Sequence, residues 1–171
     1  VETQPGEFAL TPQAELLRAN AGSSLRDIAL LYGEEWVWHA YGNLMHSVRT
    51  GAPAFVRTHR QPLYCYLHEH PRAAAQFNAA MTAFSNQEAA AILAAYDFAG
   101  VETLVDIGGG QGALLAALLR AHPHITGTLF DLPSVIAGAR DLLDEAGFGT
   151  RAHCRAADFF ADLREVETRR N

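Results

Sequence analysis

Apolar positions in the first hundred residues recur at three- and four-residue steps, the spacing of helices that hide one face. Thr11-Pro12 opens the first such segment, since Thr is a good N-cap and Pro suits the first helical position; Leu16 and Leu17 supply its apolar face. Ser24 starts a second helix, with Leu25, Ile28, Ala29 and Tyr32 as its stripe and Gly33 where it should stop. A third helix is predicted from about Glu34, where Trp36, Ala40, Leu44 and Val48 repeat every four residues, until Gly51 and Pro53 end it. After a loop through His59 and Arg60, a short helix over 62–68 and a long one from Pro71 to about Asp97 complete this half. Val37, Tyr41 and Met45 widen the face of the third helix beyond what one small core needs, which predicts a partner subunit.

Near Gly100 the period changes. Thr103-Leu104-Val105 reads as a strand running into a glycine loop, and Leu114, Leu115, Leu118 and Leu119 form a helical stripe that ends before Pro123. A second strand spans 126–130. Ser134 is then expected to cap a helix holding Val135, Ile136, Ala139, Leu142 and Leu143, Gly147 ends it, and 151–156 reads as a third strand. Strand, helix, strand, helix, strand predicts a parallel sheet, so the expected class is α/β, with one region over 1–99 and another over 100–171.

With 49% hydrophobic residues, the 171-residue chain has enough apolar surface for a real core. No apolar run approaches the roughly 20 residues of a membrane helix, and the acidic start is no signal peptide, so no membrane partner and a cytoplasmic setting are expected. A formal charge of −6 with scattered arginines argues against nucleic acid, whose binding rests on clustered cations. The two cysteines, Cys65 and Cys154, lack metal or disulfide spacing and read as buried free thiols; no metal is expected.

Candidate chemistry gathers where the strands end, because ligands of open parallel sheets bind at the carboxyl ends. Asp106 closes the first strand, and the glycines at 108, 110 and 112 let the backbone turn tightly and approach a ligand closely. Asp131 ends the second strand, placed for the two hydroxyls of a ribose, and Asp158 follows the third. Two cofactors compete for this pattern, since Gly108-x-Gly110-x-x-Ala113 also satisfies the looser dinucleotide fingerprint. Asp106 favours a sulfonium methyl donor: a carboxylate in the loop repels a pyrophosphate and accepts a hydrogen bond from an ammonium.

Val105-Asp106-Ile107-Gly108-Gly109-Gly110-Gln111-Gly112, then Leu129-Phe130-Asp131-Leu132-Pro133, then Ala157-Asp158-Phe159-Phe160 resemble, in order and spacing, the small-molecule O-methyltransferases of the caffeic acid and hydroxyindole type. Bacterial polyketide-tailoring enzymes are among them. Upstream, residues 8–12 with Leu16-Leu17-Arg18 are similar to the end of that family's winged-helix domain, and 36–55 and 71–85 to its dimerisation and linker helices. The resemblance implies a helical dimerisation segment followed by the first half of a Rossmann-like class I methyltransferase domain, which binds S-adenosyl-L-methionine. It further implies a homodimer that methylates a hydroxyl of a small aromatic or polyketide-type molecule. Carried over by position, Gly108 and Gly110 pack on the methionine part and ribose, Asp131 holds the ribose hydroxyls and Leu132 lies against the adenine. Asp158 and Phe159 meet the adenine amino group and ring, and Met81 and Ser85 reach the donor from the long helix. For Met81 an ordinary core position is the competing reading.

Departures accompany the matches. The family's general-base His belongs to a stretch like Leu-His-Asp-Trp beyond Asn171, so no catalytic residue is expected within the chain, and residues 163–171 are too charged for the next strand. Ala157 and Arg60 stand where the family has Gly, and the sequence opens inside the wing, as an incomplete copy of a longer protein would. His68 and His70 point apart on a helix and His122 and His124 flank Pro123, so none is expected to substitute. The rival readings are a non-catalytic donor-binding or dimerising remnant, a scaffold adapted to hydroxylation, an NAD dehydrogenase and a winged-helix regulator.

Overall fold

The structure is a computed structural model and describes residues 1–21, 24–158 and 160. Phe159 and residues 161–171, among them the charged segment from 163 onward, lie outside the described residues. The chain forms two compact units, Val1–Ala83 and Phe84–Asn171.

The first unit opens with strands β1 (Glu2–Gln4) and β2 (Glu7–Phe8), an antiparallel hairpin. Helix α1 (Pro12–Glu15) starts as its sequence predicts, with the Ala14 N–H donating to Thr11 Oγ1 at 3.1 Å. Helix α2 spans Arg26–Gly33, and Ser24 Oγ accepts from the Arg26 N–H at 3.2 Å. The single third helix of the sequence reading is instead two, α3 (Glu35–Gly42) and α4 (Leu44–Thr50). The break falls at Asn43, whose side-chain amide donates to His39 O at 3.1 Å and Thr58 Oγ1 at 3.2 Å. Side-chain bonds of this kind compete with the helical ladder, and the four-residue apolar repeat continues across the break without betraying it.

A second correction concerns the expected loop before Arg60, which holds helix α5 (Ala54–His59). Its first turn is tied down by the Ala54 N–H donating to Ser47 Oγ at 2.8 Å. Arg60 ends it with φ 61°, the one non-glycine residue in the left-handed region among those described. The departure from Gly at this position therefore has a conformational cost, since L side chains enter that region with strain. Helices α6 (Leu63–Glu69) and α7 (Pro71–Ala95) follow as predicted. Leu31, Val37 and Ala80 form the small core, with Trp36, Phe77 and Met81 against it.

In the second unit, strands β3 (Thr103–Ile107), β4 (Thr126–Asp131) and β5 (Ala152–Ala156) form a parallel sheet in that order. Helices α8 (Ala113–Ala121) and α9 (Pro133–Glu145) supply the crossovers, as the strand–helix alternation predicts. Ser134 is not the cap of α9: Pro133 is already its first residue, and Leu132 stands at the cap without a side-chain acceptor. Leu115, Leu119, Ile125 and Leu129 are fully enclosed, each worth about 1.5–3 kcal/mol of burial. The helix can lie this close because β4 offers Gly127, where a Cβ would collide with the Leu115 side chain.

Arg151, which the sequence reading passed over, ties this core together. Its guanidinium donates to Leu119 O at 2.8 Å and Ile125 O at 2.9 Å, joining the end of α8 to the loop before β4, and lies over the Phe148 ring. The expectation of two buried thiols is corrected for Cys65, which is exposed on α6 because the apolar stripe of that helix runs through Leu67; Cys154 is half-buried, and both thiols are free. Among the described residues no helix is long and apolar enough to cross a membrane, and no group of three or more His, Cys, Asp or Glu could hold a metal ion.

Candidate functional site

The parallel register brings the candidate carboxylates to one edge. Asp106 pairs across from Leu129 and Asp131 from Ala156, and the Ala157 N–H donates to Asp131 O at 2.9 Å, so Asp158 leaves β5 at the same end. Successive strand residues face opposite sides. Asp106 thus shares a face with Leu104, which packs on the core, while Val105 and Ile107 face outward, and a carboxylate is carried under the loop rather than into solvent.

The loop itself is held by β4. The Gly108 N–H donates to Phe130 O at 2.7 Å, and the Gly110 N–H donates to Asp131 Oδ2 at 2.8 Å. Asp131 Oδ1 accepts from the Leu132 N–H at 2.7 Å, so one side chain fixes both the loop and the start of α9. Each oxygen keeps a further lone pair for a ligand hydroxyl. Gly110 and Gly112 adopt φ 60° and 79°, a conformation L side chains resist, and Gly112 leads directly into α8.

Gly109 carries a different constraint, which the alternating glycine pattern does not reveal. A Cβ there would lie 2.5 Å from the Asp106 carboxylate and 2.5 Å from Leu129 Cδ1. The only legible signal was its place inside the glycine string. Beneath it, Asp106 Oδ2 is buried and has no hydrogen-bond partner. Burial first, then the charge of Asp131, hold the Asp106 carboxyl above the usual carboxylate range, and a hydrogen bond from the Leu115 backbone pulls the other way. A buried acceptor left open beneath a glycine loop is costly unless something cationic or hydrogen-bonding completes it.

The structure therefore brings Asp106, Gly108, Gly110, Asp131, Leu132 and Asp158 together at the sheet edge. Phe159 lies outside the described residues. Met81 and Ser85 both lie on α7, in different units: Met81 packs against the core of Leu31, Val37 and Ala80, and Ser85 is half-buried in the second. Of the histidines weighed as substitutes, His68, His70 and His124 are exposed, and His122 is half-buried with its ring 5.2 Å from that of Phe98.

Comparison with known proteins meets this geometry. The chain is 41% identical over 162 residues to phenazine O-methyltransferase PhzM of Lysobacter antibioticus, covering 95% of this chain and 47% of that protein. It is 40% identical to 8-amino-8-demethylriboflavin N,N-dimethyltransferase of Streptomyces davaonensis, covering 93% and 46%. The crystal structure of NcsB1, an O-methyltransferase from neocarzinostatin biosynthesis in complex with S-adenosylmethionine and 2-hydroxy-5-methyl naphthoic acid, superposes with a TM-score of 0.75 at 30% identity, covering 94% of this chain and 50% of that one. The chain thus spans about half the length of the curated relatives it matches. The family model of the O-methyltransferase domain matches residues 41–166, more than half of the chain, and the sheet-edge glycine loop lies inside that match. This chain belongs to the O-methyltransferase domain family.

Proposed function

We propose that the glycine loop and its carboxylates bind S-adenosyl-L-methionine for methyl transfer to a hydroxyl of a small planar aromatic or polyketide-type molecule. The observation that carries this reading is Asp106 Oδ2, a buried acceptor with no partner, under a loop that Gly109 keeps free of side chain. An ammonium suits that acceptor, and a pyrophosphate does not. Asp131, already aligned by Gly110 and Leu132, takes the ribose hydroxyls, Leu132 packs on the adenine, and Asp158 meets its amino group. Gly108 and Gly110 line the methionine side, and Ser85, in the same unit, belongs to that site from α7.

Bound there, the donor supplies a methyl group on a sulfonium, and the residues of this chain supply orientation, the larger part of what such a transfer needs. The general base and the acceptor pocket belong to the part of the family's length that this chain does not span. Relatives acting on phenazine and naphthoate substrates support a flat aromatic acceptor.

The working form is proposed to be a cytoplasmic homodimer. Trp38, Tyr41, Leu44, Met45 and Val48 lie more than half exposed on the successive helices α3 and α4, large apolar side chains of the kind that association covers. Two free thiols, one of them exposed, suit a reducing compartment.

Titration calorimetry of the chain with S-adenosylhomocysteine and with NAD tests the donor reading. Binding of the first and not the second is expected, and Gly109→Val, whose branched side chain would enter the space of Asp106 and Leu129, is expected to weaken it by more than about tenfold, roughly 1.4 kcal/mol or more. NAD binding without S-adenosylhomocysteine binding would overturn it.

A further inference from the structure

We propose that Asp106 is a specificity-determining residue that couples a proton to ligand charge: it meets the ammonium of the donor as a carboxylate and releases a proton to solvent as the ligand arrives. The inference rests on the donor-site reading and goes beyond it, because it states how recognition of the ammonium depends on pH.

Three observations support it. Asp106 Oδ2 is buried beneath Gly109 and accepts no hydrogen bond. Asp131, the neighbouring carboxylate, is engaged at both oxygens by the N–H groups of Gly110 and Leu132, so it cannot swing to relieve Asp106 without releasing the loop. Burial and the Asp131 charge together favour the neutral form of Asp106 while no cation is present.

Among the described residues no cation faces Asp106 to do the same work. From β4 the group facing Asp106 is Asp131, and from α8 it is the Leu115 backbone. The one charged side chain of α8, Arg120, sits in its last turn, over the Phe148 ring. On α9, Arg140 and Asp144 act on Cys154, and Arg155 of β5 lies over the Phe130 ring.

The sign follows from these charges. Burial and the Asp131 charge strengthen the hold of the Asp106 carboxyl on a proton in the free protein; against an ammonium the carboxylate is favoured, so binding drives proton loss. Affinity for a ligand that carries the ammonium therefore rises as pH rises through the range where the free protein loses that proton, and levels off above it. No bond of the ligand is made or broken.

The test is calorimetry of the full 171-residue chain with S-adenosylhomocysteine from about pH 5 to about pH 7, where an α-amino group stays charged. Two buffers of different ionisation enthalpy count the protons. 5′-Methylthioadenosine, which keeps the nucleoside and lacks the ammonium, runs in parallel on the same native protein and absorbs any contribution from histidines. Expected are proton release and a dissociation constant that falls by up to about tenfold per pH unit at the low end for S-adenosylhomocysteine, with neither for 5′-methylthioadenosine. Asp106→Asn, checked for folding by circular dichroism, is expected to abolish the release and flatten the profile. Proton release equal for both ligands, none for either, or release that survives in Asp106→Asn would overturn the inference while leaving the donor site intact. A native chain that binds 5′-methylthioadenosine but not S-adenosylhomocysteine, or neither, would overturn the donor-site reading and the inference with it.

Discussion

The two compact units hide their apolar residues to different depths. In the second, Leu115, Leu119, Ile125 and Leu129 are wholly enclosed between one sheet and its crossover helices. In the first, the core is Leu31, Val37 and Ala80 with three partly buried neighbours, while Trp38 and Val48 remain 64% and 69% exposed. The sheet collects apolar residues from every strand onto shared faces, so a short stretch of chain closes a core. Among the described residues the first unit's helices, six of the seven no longer than eight residues, offer narrower stripes, and the surplus is left for something else to cover. The candidate ligand loop sits in the unit with the enclosed core, and the more exposed apolar surface in the other.

The largest test of that contrast is Leu119→Ala. At full burial the truncation leaves a cavity that a packed α/β layer cannot easily collapse, and a loss of about 2–5 kcal/mol is expected from denaturant unfolding. A loss under about 1 kcal/mol would mean that the core of the second unit is far looser than its geometry indicates. Next comes Arg151→Ala, expected to cost about 1.5–3 kcal/mol because the Leu119 carbonyl at the end of α8 and the Ile125 carbonyl before β4 lose a charged donor. Its melting temperature should fall without any change in donor affinity, since the residue lies at the opposite end of the strands from Asp131.

The smallest effect on folding is expected from Met45→Glu on the open face of α4, within about 0.5 kcal/mol if the chain is a monomer there. Its effect on assembly should be larger. Sedimentation is expected to show a shift toward monomer relative to the unaltered chain, and an unchanged mass distribution would break the proposed link between that face and pairing.

Much of the second unit was legible because two periods alternate cleanly there and its glycine loop is short and local. Asp106, the glycines and Asp131 are marked by where strands end. Gly109 was harder, because what forbids a side chain is Asp106 from its own strand together with Leu129 from the next. In the first unit, the reading merged α3 with α4 and missed α5, since the interactions that decide those boundaries join Asn43 to Thr58 and Ser47 to Ala54.

By itself, then, the sequence determined the order of elements after Gly100, the α/β class and the residues of the glycine loop that follows β3, because periodicity and turn chemistry act between near neighbours. Tertiary structure alone decided that Arg151 clamps α8, that Asp131 holds the loop through Gly110, and that Asp106 keeps a buried oxygen without a partner. Burial, charge and hydrogen bonding at those points depend on which distant strands and helices pack together, and no local pattern in a chain encodes that.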